Sequence, residues 1–123
     1  MSGAVTPLSN AVVDALELTP TTYVNPANVT QGEAAERGHT LHVSPDENFI
    51  VGVWAAEPYA ETFPDGYPGD EFAHVLKGTL TLVDPDGTHR SFGPGESYIM
   101  TKGWSGTFQI DSSFTKYFVL YVG

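Results

Sequence analysis

The stretch GDEFAHVLKGTLTLVDPDG, residues 69–87, decides the fold class. Two apolar, β-rich runs, EFAHVL and TLTLV, are separated by Gly78 and bounded by turn residues. DPDG (residues 84–87) is a hairpin-turn signal, with Gly87 suited to a positive φ. If Glu71 faces inward on a regular strand, Ala73, Val75 and Lys77 share its face. Phe72, His74 and Leu76 then face the other way. Asp70 belongs to the turn that precedes the strand.

The same pattern continues on both sides. Upstream are HTLHV (residues 39–43), a turn at SPDEN, and FIVGVWAAE (residues 49–57). PYAETFPDGYPGD (residues 58–70) reads as a long loop or a broken strand. Downstream, THRSF, SYIM, TFQI and SSFTKYFVLYV alternate with the glycine turns GPGE and TKGWSG. Roughly eight or nine strands, with almost no room for helix after residue 38, suit a closed antiparallel barrel or a two-sheet sandwich. Residues 1–37 are expected to form an N-terminal arm and edge segment, and residues 38–123 a single barrel domain. Within the arm, AVVDALEL (residues 11–18) can form a short helix begun by Ser9 or Asn10 and stopped by Pro20. The connection that follows has room for at most one short edge strand.

Composition excludes several function classes. Fifteen acids against five Lys and Arg give a net charge of -10. Nucleic acid and anionic membranes are therefore not expected as partners, because both require a concentrated positive surface. The chain has no cysteine, which removes disulfides, thiolate nucleophiles and Cys-ligated zinc. No apolar run reaches membrane-spanning length, and residues 1–20 lack the pattern of a signal peptide, so a cytoplasmic location is expected. Gly93, Gly95, Gly103 and Gly106 match no phosphate-binding spacing and read as turn and bulge residues. No serine sits in a nucleophile elbow.

GDEFAHVLKGTLTLVDPDG, FGPGESYIM (residues 92–100) and TKGWSGTFQI (residues 101–110) together resemble the cupin superfamily. VGVW (residues 51–54) and TKYFVLYV (residues 115–122) extend the likeness to roughly residues 38–122. Within the superfamily the chain is similar to small single-domain proteins related to ureidoglycine aminohydrolase and to the ethanolamine-utilisation cupin. The resemblance implies an all-β double-stranded β-helix, a jelly-roll barrel open at one end. It also implies a ligand set of three histidines and one glutamate, of which this chain keeps only Glu71, followed by the motif glycine at Gly78. Pro64, Asp65, Gly66 and Tyr67 occupy the region of the first two histidines. Thr101 replaces a usual proline, and the last histidine would fall near Gly106. No cofactor and no protein-bound metal are therefore expected.

The remaining polar and aromatic residues define the expected site. Glu71 is the leading proton donor or acceptor, because an apolar barrel would raise its pKa. His42 can approach as a base from a neighbouring strand, and Tyr59 can supply a hydroxyl; these three are the expected catalytic residues. Trp54, Tyr67, His74, Tyr98 and Trp104 are the expected substrate-binding residues, offering apolar surface with one polar handle each. His39 and His42, three residues apart, are expected on opposite faces of a strand. His89 and Lys102 read as solvated, and Lys116 either snorkels or pairs with an acid.

The reading that follows is a cupin-fold protein binding a small polar organic molecule. The equipment suits an acid–base isomerase, lyase or deaminase without an essential redox metal. A noncatalytic ligand-binding or accessory cupin is one alternative. A metal-dependent, aminohydrolase-like enzyme with a nonstandard ligand set is another. YFVLYV and FIVGVW are apolar enough to be buried against a second subunit, and a homodimer is expected.

Overall fold

In the computed structural model, which describes residues 3–123, eleven strands pair into two antiparallel sheets. One sheet has six strands. In spatial order they are β1 (Thr19–Pro20), β3 (Arg37–Val43), β4 (Phe49–Ala56), β11 (Phe114–Tyr121), β6 (Asp70–Lys77) and β9 (Ser97–Met100). The other has five: β2 (Val29–Gly32), β5 (Tyr59–Thr62), β10 (Thr107–Ile110), β7 (Leu80–Val83) and β8 (His89–Phe92). This is the double-stranded β-helix expected from the strand and turn order. The two inner faces meet in one core, with Trp54, Ala73, Val75 and Phe118 from the first sheet against Leu80, Leu82, Phe108 and Ile110 from the second.

Strand alternation places most side chains, and β-bulges correct the rest. On β6, Glu71, Ala73 and Val75 are buried and Phe72 is exposed, as period-2 alternation requires. Lys77 departs from the expectation. Thr115 pairs with Lys77 and Lys116 with Val75, so Leu76 is an extra residue and the parity flips beyond it. Lys77 is consequently exposed.

A second bulge acts on β3. His39 lies opposite Val53 and His42 opposite Val51, with the register shifting between Thr40 and His42. Residues directly opposite each other share a sheet face. The two histidines therefore lie on the same outer face, not on opposite faces as regular spacing implied.

The N-terminal region is more structured than its composition suggested. The helix α1 spans only Asn10–Asp14, and the Ser9 side chain caps it by accepting from the Val12 N–H. β1 extends the edge of the six-stranded sheet, while β2 pairs with β5 at the edge of the other. Between them a 3-10 turn at Pro26–Asn28 is capped by Asn25. The segment 58–70, expected as a loop or broken strand, contains β5, which is paired on both sides.

Glycine is required where strands turn tightly. Gly78 adopts φ +80°, and a Cβ there would lie 2.2 Å from the Ser113 carbonyl oxygen. No helix among the described residues is long and apolar enough to cross a membrane.

Candidate functional site

A cavity of about 270 Å³ opens between the sheets at one end of the barrel. Its floor is polar. Glu71, on the inner face of β6, is 3% exposed, and Lys116, on the inner face of the adjacent β11, is 4% exposed. The Lys116 side chain reaches along the sheet and donates to Glu71 Oε2 at 2.6 Å and to the Tyr98 hydroxyl at 3.0 Å. Tyr67 donates to Glu71 Oε1 at 2.5 Å. Both carboxylate oxygens of Glu71 are thus engaged.

Aromatic rings complete the surroundings of the ammonium. Its nitrogen lies 5.2 Å from the Trp54 ring centroid and 5.4 Å from that of Phe108. Such contacts hold a desolvated cation with about 0.5–2 kcal/mol each. Burial on its own lowers the Lys116 pKa, but the Glu71 charge and the bonds to Glu71 and Tyr98 outweigh it, so the net shift is upward. Lys116 is therefore a fixed positive charge and not a free amine nucleophile. Burial pushes the Tyr98 phenol up to about 12. Burial, reinforced by the Glu71 charge, raises that of Tyr67 as well.

The opposite wall carries a second carboxylate. Glu61 is the third residue of β5, pairs with Phe108 of β10, and turns inward with it. It is 5% exposed. Tyr59, two residues earlier on the same face, donates to Glu61 Oε1 at 2.6 Å. Among the described residues no cation forms an ion pair with Glu61. Burial raises its pKa and the nearby Glu36 adds to the shift, against the Tyr59 hydrogen bond and the Lys116 charge. The Tyr59 phenol is itself pushed well above its ordinary range by burial and by Glu61.

Glu36 fixes the rim. Its Oε1 accepts from the Thr21 hydroxyl, the Tyr23 N–H and the Trp54 indole N–H, and its Oε2 accepts from the Val24 N–H. One side chain therefore ties the segment bordering the cavity, residues 21–24, to a ring in its wall. Tyr67 is positioned from the other side. Its N–H donates to the Trp104 carbonyl and its carbonyl accepts from Gly103 N–H. Gly66 packs against that loop so closely that a Cβ would lie 2.9 Å from Gly103 Cα.

Of the residues expected from the sequence, Trp54, Tyr59, Tyr67 and Glu71 line the cavity. Tyr98 lies behind the floor as a partner of Lys116. His42, His74 and Trp104 are not brought to it. His42 is exposed on the outer face of β3 with its ring edge-on to Phe49, because the bulge puts it opposite Val51. His74 faces outward by simple alternation, stacks on Tyr117 at 5.0 Å and bonds Ser97 through Nδ1. Trp104 packs on Phe63, and its indole N–H is taken up by Asp84.

The sequence reading misses Glu61, which lies in the segment expected as a long loop or a broken strand, although YAET offers a tyrosine and an acid at strand spacing. Lys116, expected either to snorkel or to pair with an acid, pairs with Glu71.

The residues present do not fit the metal implied by the family resemblance. Glu71, the retained ligand position, has an ammonium on one oxygen and a phenol on the other. Among the described residues, no three His, Asp or Glu side chains converge on a point that could hold an ion.

Comparison with known proteins agrees with the fold and the motif reading. The family model described as the EutQ-like cupin domain matches residues 43–118. No curated relative matches the chain. Among solved structures, an ethanolamine utilization protein Q from Salmonella typhimurium LT2 superposes with a TM-score of 0.61 at 19% identity. That match covers 71% of this chain and 69% of the other. A protein of unknown function from Pseudomonas syringae pv. tomato superposes with a TM-score of 0.78 at 18% identity, covering 86% of this chain and 45% of that one. An acetylacetone dioxygenase from Acinetobacter johnsonii gives 0.66 at 11% identity, covering 98% and 75%. Likeness at these identities concerns the fold, whereas the family match spans most of the barrel strands. The chain belongs to the EutQ-like cupin domain family.

Proposed function

We propose that this protein binds a small polar organic molecule inside the barrel and acts on it by proton transfer. The observation that carries the reading is the pair of differently partnered carboxylates facing one aromatic-walled cavity. A cavity of about 270 Å³ admits a compact metabolite-sized molecule and little else. The Glu71–Lys116–Tyr98 network supplies fixed polarity on the floor. Glu61, poised by burial to hold a proton to higher pH than a solvated glutamate, gives or takes the proton at a substrate atom. Tyr59 orients Glu61, and Trp54 and Phe108 exclude water.

Isomerisation, elimination and deamination all need such a proton step, and this equipment serves any of them. Glu71, expected as the proton carrier, is assigned instead to binding and positioning, because Lys116 holds its charge in place.

The test is a ligand-observed NMR screen of small polar organic molecules. The double variant E71Q/K116M serves as a neutral, similarly shaped control for the floor. Compounds that bind the wild type and are displaced by one another, but are lost in the double variant, support the reading. Binding unaffected by the double variant, or no binding at all, overturns it. Turnover of a bound compound that survives Glu61→Gln rejects Glu61 as the proton carrier. Binding without turnover for every compound identifies a noncatalytic ligand-binding cupin.

A further inference from the structure

Charge in the cavity is not balanced. The Lys116 ammonium is matched by Glu71 at 2.6 Å, with its remaining polar contact going to Tyr98. Glu36 has its two oxygens occupied by four neutral donors. Glu61 is the carboxylate left over. Its Oε1 accepts from Tyr59, and among the described residues no donor reaches its Oε2. It is 95% removed from solvent yet lines the cavity. Among the described residues no sealed-off side-chain oxygen lacks a partner, so this open oxygen faces the cavity, where a ligand can reach it.

The walls have the same preference. Trp54, Tyr59 and Phe108 pack edge-on or tilted around one corner, with centroids 6.0 to 6.4 Å apart. Phe63 adds a fourth ring, 6.5 Å from Phe108. Aromatic faces carry negative charge density, so they attract a cation and repel an anion. The Lys116 ammonium already lies over Trp54 and Phe108, which demonstrates the compatibility of these rings with positive charge. An anionic ligand would have to compete with Glu71 for Lys116 while standing opposite Glu61.

We infer that the ligand of this cavity carries a positively charged amine, which binds between Glu61 and the ring corner formed by Trp54, Tyr59 and Phe108. The inference rests on the proposal that the cavity takes a small organic molecule, and it narrows the chemical class. The ammonium group completes Glu61 with a charge-assisted hydrogen bond. The rest of the ligand, uncharged, lies toward the neutral rim residues Asn25 and Asn28.

Three probes of matched size separate the possibilities: butylamine, 1-butanol and butyrate, titrated at pH 8 into the wild type and into E61Q. Binding is read from tryptophan fluorescence and checked by ligand-observed NMR. The wild type is expected to prefer the amine over the alcohol by about tenfold or more. The E61Q variant, with its folding verified by thermal melting, is expected to bring the two within about twofold. The comparison within the wild type stands even if E61Q does not fold. Equal binding of amine and alcohol, or tightest binding of butyrate, overturns the amine inference while leaving a small-molecule cavity in place. Absence of binding by all three overturns both.

Discussion

The two carboxylates of the barrel interior face each other from different sheets and have opposite fates. Glu71, on the six-stranded sheet, is locked by Lys116 and Tyr67. Glu61, on the five-stranded sheet, has a phenol for company and, among the described residues, no counter-ion. They are almost equally buried, at 3% and 5% exposure. Burial alone therefore does not decide what an acid can do; its partners do. The acid with a counter-ion becomes architecture and fixed polarity, and the acid without one is free to exchange a proton.

The largest effect expected is on the Glu71 side. Lys116→Met strands a buried carboxylate and should cost about 3–5 kcal/mol of unfolding free energy in a urea titration. The double variant E71Q/K116M should recover most of that loss, because replacing a buried ion pair with similarly shaped neutral groups is often nearly neutral. If the single and double variants lose the same stability, the two residues are not coupled as described. Tyr67→Phe removes one charge-assisted hydrogen bond from Glu71 and should cost about 1.5–3 kcal/mol. A cost near zero would mean that the phenol does not hold the carboxylate.

On the Glu61 side the effect is smaller and depends on pH. A carboxyl whose folded pKa is raised binds more protons folded than unfolded, so its contribution to stability falls as pH rises past the unfolded value. Glu61→Gln removes this loss. Melting of E61Q should therefore improve relative to wild type on going from pH 4 to pH 8. A melting temperature of E61Q that stays level or falls relative to wild type as pH rises contradicts the assignment. Smallest of all, His42→Ala on the outer face should change stability by no more than about 0.5 kcal/mol. It should also leave ligand binding unchanged; lost binding would put His42 back in the site.

The architecture was legible because most inner strands advertise themselves locally. EFAHV and TLTLV alternate cleanly, and DPDG and Gly78 mark the turns that the fold uses. The site was only half legible. Glu71 follows from strand parity and the family motif, and Trp54, Tyr59 and Tyr67 follow from residue type alone. Glu61 does not, since β5 is four residues long and sits in a Pro- and Gly-rich stretch whose pairing with β2 and β10 is entirely nonlocal. His42 is not at the cavity for a geometric reason, whereas His74 faces outward by the alternation already readable in the sequence. One extra residue in β3 reverses parity, and nothing in HTLHV announces that bulge. The Lys116–Glu71 pair joins residues 45 positions apart, which only the strand order brings side by side.

The most direct measurement is a carbon-13 NMR titration of the Glu61 side-chain carboxyl in the folded, ligand-free protein, assigned with E61Q. The midpoint is expected clearly above the ordinary glutamate value of about 4.3, in keeping with a buried acid that no cation pairs among the described residues. Titration at or below that value would show that Glu61 is as readily ionised as a solvated acid, and would remove it as the proton-carrying group of the barrel.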